Sequence, residues 1–137
     1  MQVVATGVFE ILHPGHIRYL EESKRLGTRL TVVVASDETA TKRKRRPVIS
    51  ERQRLHMVRE LKPVDDAIIG ETSDIYDTMV KLKPDILTIG PDQDFDPKEI
   101  QAELHKRGLK TKVVKIKHYW DAGLHSSRII VDLIKRQ

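Results

Sequence analysis

Apolar residues recur along the chain in short blocks whose spacing alternates between a strand-like and a helix-like period. Residues 2 to 9 and 30 to 35 read as strands, the second (Leu30, Thr31, Val32, Val33, Val34, Ala35) nearly continuously apolar, as strands covered on both faces of a parallel sheet are. Between them Ile17, Leu20 and Leu26 share one side of a predicted helix. Pro14 suits its first turn, Glu21 and Arg25 are spaced as an i, i+4 pair, and Gly27 stands where a helix would stop. These features predict a βαβ unit.

The alternation continues to the end of the chain. Ser50 and Gln53 have capping-box spacing and open a helix through Leu55, Val58 and Leu61, after which Pro63 precedes a strand at 66 to 70. A helix with Ile75, Met79 and Leu82 on one face closes at Pro84, and residues 85 to 90 form the next strand. Asp96 caps and Pro97 starts a helix carrying Ile100 and Leu104 and stopped by Gly108, with a last strand at 112 to 117. Ser126 or Ser127 caps a terminal helix packed through Ile130, Leu133 and Ile134. Strands alternating with helices predict an α/β fold with a doubly wound parallel sheet, one domain spanning residues 1 to 137, and a ligand site at the carboxyl ends of the strands where their order reverses.

Composition narrows the chemistry. Of 137 residues 39% are hydrophobic and 33% charged, too apolar for disorder and too interrupted by charge for a membrane span. No cysteine is present, which removes disulfides, thiolate zinc sites and cysteine nucleophiles. With no basic-then-apolar leader at Met1 to Phe9, a cytoplasmic location is expected. The net charge of +5 comes from 25 basic and 20 acidic residues, and Lys42, Arg43, Lys44, Arg45 and Arg46 account for all of the excess. One concentrated patch suits a small, highly charged ligand such as a nucleoside triphosphate. A nucleic-acid-binding module is the rival from a different class, but six aromatic residues supply few stacking platforms.

Candidate chemistry concentrates in TGVFEILHPGH, Thr6 to His16. There a strand ends at Thr6 and Gly7 and a helix begins near Pro14, so backbone amides, the helix dipole and two imidazoles converge on the strand's carboxyl end. His13 and His16 lie one helical turn apart, and Gly15 carries no side chain to bar a phosphate. Against phosphate binding stand a plain cap at His13 and a zinc site, the latter needing about four ligands with His118 and His125 returning from the far end. The Lys42 to Arg46 run, read as a loop ending at Pro47, suits a mobile phosphate clamp, and Arg54, otherwise an exposed helical arginine, is placed to reach the same anions. Ser126 and Ser127 after Gly123 offer hydroxyls and amides to a further phosphate, and Gly90, Pro91, Asp92 and Gln93 sit where a base or second substrate would be met.

With HPGH after a strand, the Lys/Arg run, Arg54, the GPDQ turn and the HSS segment at His125 to Ser127, the chain resembles the cytidylyltransferase-like nucleotidyltransferases nearly end to end. Within them GPDQ-x-FD and HSS make it most similar to the archaeal-type FAD synthetases, the FMN adenylyltransferases. The resemblance implies a Rossmann-like nucleotidyltransferase fold, and transfer of a nucleotidyl group from ATP or CTP, carried with Mg²⁺, onto a phosphate monoester such as FMN, releasing pyrophosphate. It assigns His13, His16 and Lys44 to catalysis. It also implies a nucleotide site built from Thr6, Gly7, Val8, Phe9, Gly15, Gly90, Asp92, Ser126 and Ser127 with those three. Glu10, Arg54, Tyr119 and Trp120 fall to the acceptor, with an isoalloxazine slot near Tyr119, Trp120 and Leu124. No protein-held metal site is expected. A homodimer is implied, with neither nucleic acid nor membrane as partner. Glu10 stands where the family usually has Asp, the cysteines of some FAD synthetases are absent, and the R-T-x-G-I-S-T signature of glycerol-3-phosphate cytidylyltransferases, the alternative activity, is missing. A nucleotide sensor that binds but does not turn over is a further alternative.

Overall fold

A computed structural model of the chain describes residues 1–43, 46–71, 74–91, 93–117 and 134–135. Lys44, Asp92 and the segment holding His118, Tyr119, Trp120, His125, Ser126, Ser127 and the predicted terminal helix lie outside the described residues, apart from Ile134 and Lys135. Five strands, β1 (Gln2–Gly7), β2 (Arg29–Val34), β3 (Asp66–Ile69), β4 (Ile86–Ile89) and β5 (Lys112–Lys115), form one sheet in the order β3-β2-β1-β4-β5. Every pairing is parallel, from Gln2↔Arg29 to Gly7↔Val34 on one side of β1 and from Val3↔Ile86 to Ala5↔Thr88 on the other. The direction of winding reverses between β1 and β4, as the doubly wound expectation requires.

Side-chain alternation feeds two cores. Val3, Ala5, Leu30, Val32 and Val34 pack against Leu20 of α1 (Pro14–Arg25) and Val58 of α3 (Glu51–Arg59). Val4, Val33, Leu87 and Ile89 pack instead against Met79 of α4 (Ile75–Leu82) and Ile100 and Leu104 of α5 (Pro97–Lys106). Local signals set the helix ends. Ser50 Oγ accepts the Gln53 amide in a complete capping box, Asp96 accepts the Lys98 amide, and Gly108 takes φ 87° to end α5, where Leu109 N–H reaches Leu104 O.

Four expectations are corrected. β1 stops at Gly7 rather than residue 9, because Phe9 turns the chain with φ 53°. Gly27 does not use glycine's left-handed freedom; a Cβ there would stand 2.6 Å from Met1 O, so close passage of the amino terminus requires it. Arg25 pairs with Glu22 three residues back rather than with Glu21. A short helix, α2 (Asp37–Arg43), occupies the start of the expected basic loop, its first turn opened by Ser36 Oγ accepting the Thr39 amide.

Candidate active site

The turn from β1 into α1 is built around imidazoles. His13 is the N-cap of α1, in extended backbone, and its Nδ1 accepts the Gly15 amide at 3.1 Å. His16 Nδ1 accepts the His13 amide at 3.3 Å, closing a reciprocal capping box in which His replaces the usual Ser and Glu. With both Nδ1 atoms held as acceptors, each neutral ring carries its proton on Nε2, the edge turned away from the helix amides. The rings stack with centroids 3.9 Å apart, and Phe9 lies 5.3 Å from His16. The cap at His13 is made through Nδ1, so the capping reading and the anion-contact reading of this ring are compatible.

Phe9 is buried despite its positive φ, and its ring covers Gly7 so closely that a Cβ on Gly7 would stand 2.8 Å from it. Strain in an αL phenylalanine is thus offset by packing that fixes the turn ahead of His13. Glu10 accepts the Val48 amide and ties this turn to the segment before α3.

Arg54 is not an exposed helical arginine but is 1% exposed. Its Nε donates to Ile49 O at 2.9 Å, Nη1 to both Val8 O and Ala35 O at 2.8 Å, and Nη2 to Asp37 Oδ1 at 2.7 Å. The planar fork collects the ends of β1 and β2, the start of α2 and the approach to α3. Of the basic run, Lys42 in the last turn of α2 lines a cavity of about 370 Å³ on the other side of β1's end. Val33, Ile75, Tyr76, Phe95 and Ile100 give this cavity its apolar wall. Thr6, Ser36, Thr39, Thr78 and Gln93 provide hydroxyls and an amide, and Glu71 and Asp74 stand at its β3 side. Thr6, Gly7 and Val8 are shared by the imidazole turn and the cavity wall.

Thr6, Gly7, Val8, Phe9, Glu10, His13, Gly15 and His16 thus come together, with Arg54 beneath them. Lys42 and the α4 wall were not singled out from the sequence; Lys42, an exposed side chain paired with Glu38 at 3.4 Å, meets the cavity at its edge, and its place within an undifferentiated basic run gave no sign of it. Among the described residues, no group of three His, Asp or Glu side chains is arranged to hold a metal ion, and no helix is long and apolar enough to cross a membrane.

Residues 4–132 match the model of the cytidylyltransferase-like proteins. The chain belongs to the cytidylyltransferase-like family. Within it, this cytidylyltransferase-like chain is 52% identical over 136 residues to an FAD synthase of Methanothermus fervidus, covering 97% of this chain and 94% of that one. An FAD synthase of Aciduliprofundum boonei is 49% identical over 131 residues, with 96% and 88% covered. A solved structure described as the lipopolysaccharide core biosynthesis protein from Thermoplasma volcanium superposes with a TM-score of 0.85 at 49% identity, covering 88% of this chain and 98% of that one. The expected enzyme class, a nucleotidyltransferase, and the expected grouping with FAD synthases follow from these matches.

Proposed function

We propose that this chain transfers AMP from ATP to the phosphate of FMN, giving FAD and pyrophosphate. An FMN phosphate oxygen attacks the α-phosphorus in line; a P–O bond forms there, the bond to the bridging oxygen of the β-phosphate breaks, and the electron pair leaves with pyrophosphate. The acceptor is already an anion, so no general base is needed. The protein's task is to align two anions and neutralise charge moving onto the leaving group. The observation that carries the reading is the stacked His13–His16 pair, whose Nδ1 atoms are fixed by backbone amides so that both Nε2–H groups act as aligned donors at the N-terminus of α1.

Mg²⁺ would travel with the triphosphate and supply charge neutralisation. Glu10, the carboxylate of this turn, already holds the Val48 amide, which suits an ion bound chiefly by phosphate oxygens. The isoalloxazine needs a flat apolar slot, and among the described residues the cavity walled by Tyr76, Phe95 and Ile100 supports that use, with Lys42 at its rim for the FMN phosphate. Tyr119 and Trp120 on the acceptor, Lys44, Asp92, Ser126 and Ser127 on the nucleotide, a homodimer and a cytoplasmic location remain part of the proposal.

The test is FAD formation from FMN with ATP and, separately, CTP. Wild type yields FAD with ATP, and His13→Ala or His16→Ala lowers turnover by about 100 to 1000 fold, the scale for one positioned transition-state donor. Absence of FAD with ATP, alongside pyrophosphate release from CTP and glycerol 3-phosphate, would replace this reading with the alternative activity.

A further inference from the structure

The ladder between β1 and β4 ends early, and the register shows how. Gly7 O accepts from Ala35 N, so the backbone groups of Gly7 face β2. Gln2 O accepts from Asp85 N, so by alternation those of Gln2, Val4 and Thr6 face β4. On β4, Ile89 O accepts from Ile116 N toward β5, which leaves Thr88 O and Gly90 N facing β1. The Ala5↔Thr88 pairing is closed by Thr6 N–H to Thr88 O, and the next rung of a parallel ladder would be Gly90 N–H to Thr6 O.

One side chain lies against the closing rung and another takes the place of the next. Tyr19 Oη accepts the Thr6 amide at 3.2 Å and donates to Thr88 O at 2.9 Å. Gln93 Oε1 accepts the Gly90 amide at 2.7 Å, and its Nε2 donates to Thr6 O at 3.4 Å. One bridge rises from α1 and the other from the GPDQ turn. The Tyr19 ring is buried, and Thr88 Oγ1, which contacts Ser23 Oγ at 2.8 Å, lies 3.4 Å from its hydroxyl.

We propose that Gln93 is a positioning residue that holds β1 and β4 apart beyond the Ala5–Thr88 pair, so that the crevice receiving the nucleoside triphosphate stands open before the nucleotide arrives. A rung replaced by a carboxamide bridge is satisfied in hydrogen-bonding terms yet keeps the strand ends from zipping together. The opening falls at the reversal of winding, between Thr6–Gly7 and Gly90, beside the His13–His16 donors. The inference rests on the reading above for where the triphosphate sits, and it adds what keeps that place open.

The experiment compares wild type with Gln93→Leu, Gln93→Ala and Gln93→Glu. Each is titrated calorimetrically with α,β-methylene-ATP, followed by amide hydrogen exchange at Gly90 and, where FAD forms, by separate kcat and KM for ATP. Gln93→Leu is expected to weaken nucleotide binding by about tenfold or more, with a rise in Gly90 protection as the direct rung forms. Gln93→Glu, which still accepts the Gly90 amide, falls between it and wild type. A folded Gln93→Leu protein that binds the analogue within about twofold of wild type would overturn the proposal, whatever its melting temperature. Should Gln93→Leu fail to fold, Gln93→Ala decides by the same criterion. A wild type that binds the analogue but makes no FAD sinks the FAD synthase reading and leaves this comparison intact.

Discussion

Arg54→Met keeps most of the side chain's apolar length and removes the guanidinium, which isolates the fork's contribution. Three main-chain carbonyls, Ile49, Val8 and Ala35, lose their donor, and the Asp37 carboxylate loses its partner. An orphaned acceptor costs roughly 1–3 kcal/mol, so the three carbonyls at the low end give about 3 kcal/mol. Asp37 is 44% exposed and is largely re-solvated, so it adds little, and the total stays within the roughly 3–5 kcal/mol typical of breaking a buried pair. At about 4 °C per kcal/mol for a domain of this size, the melting temperature should fall by roughly 12–20 °C. Arg54→Lys keeps the charge but offers no planar fork to four acceptors in different directions, and is expected to cost about half as much. Urea denaturation with m held equal to wild type measures both. A loss under about 1 kcal/mol for Arg54→Met, at unchanged m, would refute the idea that this side chain fastens the strand ends together.

Three further outcomes are expected. Burial raises the Tyr19 phenol to about 12 against an unfolded value near 10, so the fold favours the neutral form; its contribution is full below about pH 10 and disappears as pH rises through 12. Stability followed in alkali should drop in that window in wild type and not in Tyr19→Phe, and equal slopes would count against the buried hydroxyl. Asp65 is held below the usual carboxylate range by the Lys24 ammonium first and the Leu30 amide second, so its contribution is present above about pH 4 and lost as pH falls further. The urea midpoint of Asp65→Asn should therefore vary less with acid than that of wild type, and parallel curves would remove the assignment. Gly7→Ala drives a Cβ to within 2.8 Å of the Phe9 ring, which can yield only toward His16; FAD formation should fall by about tenfold or more, and an unimpaired variant would show that the turn is not tightly fixed.

Much of the frame was legible because its signals are local. The Ser50–Gln53 box, the Asp96–Pro97 start and the Gly108 stop act within one turn of the residues that carry them, and β2 shows its two-sided burial in its own composition. HPGH was likewise readable as a helix start, since cap, proline and glycine lie together in the chain. The α2 helix escaped because DETATKR, among its described side chains, buries only Ala40 and has no apolar period; Ser36 followed by Asp37 and Glu38 was the available hint. Arg54 escaped for a different reason. A charged residue inside a polar helix reads as solvated, and the four acceptors that justify its burial come from positions 5 to 46 residues away. Nothing in the spacing of Gln93 announces that it bridges Gly90 to Thr6, because that contact exists only once β1 and β4 are neighbours.

The capping of α1 has an evolutionary corollary. In each imidazole one nitrogen serves the architecture, and in the proposed reaction the other serves the chemistry, so fold and activity would be borne by opposite edges of the same ring. Ser, Asp and Asn cap helices better than His does, and a lineage relieved of the reaction would gain stability by placing one of them at position 13. Such a descendant would keep this backbone and trade the histidine for a better cap. On the proposed reaction, loss of histidine from this cap would therefore go with loss of the activity.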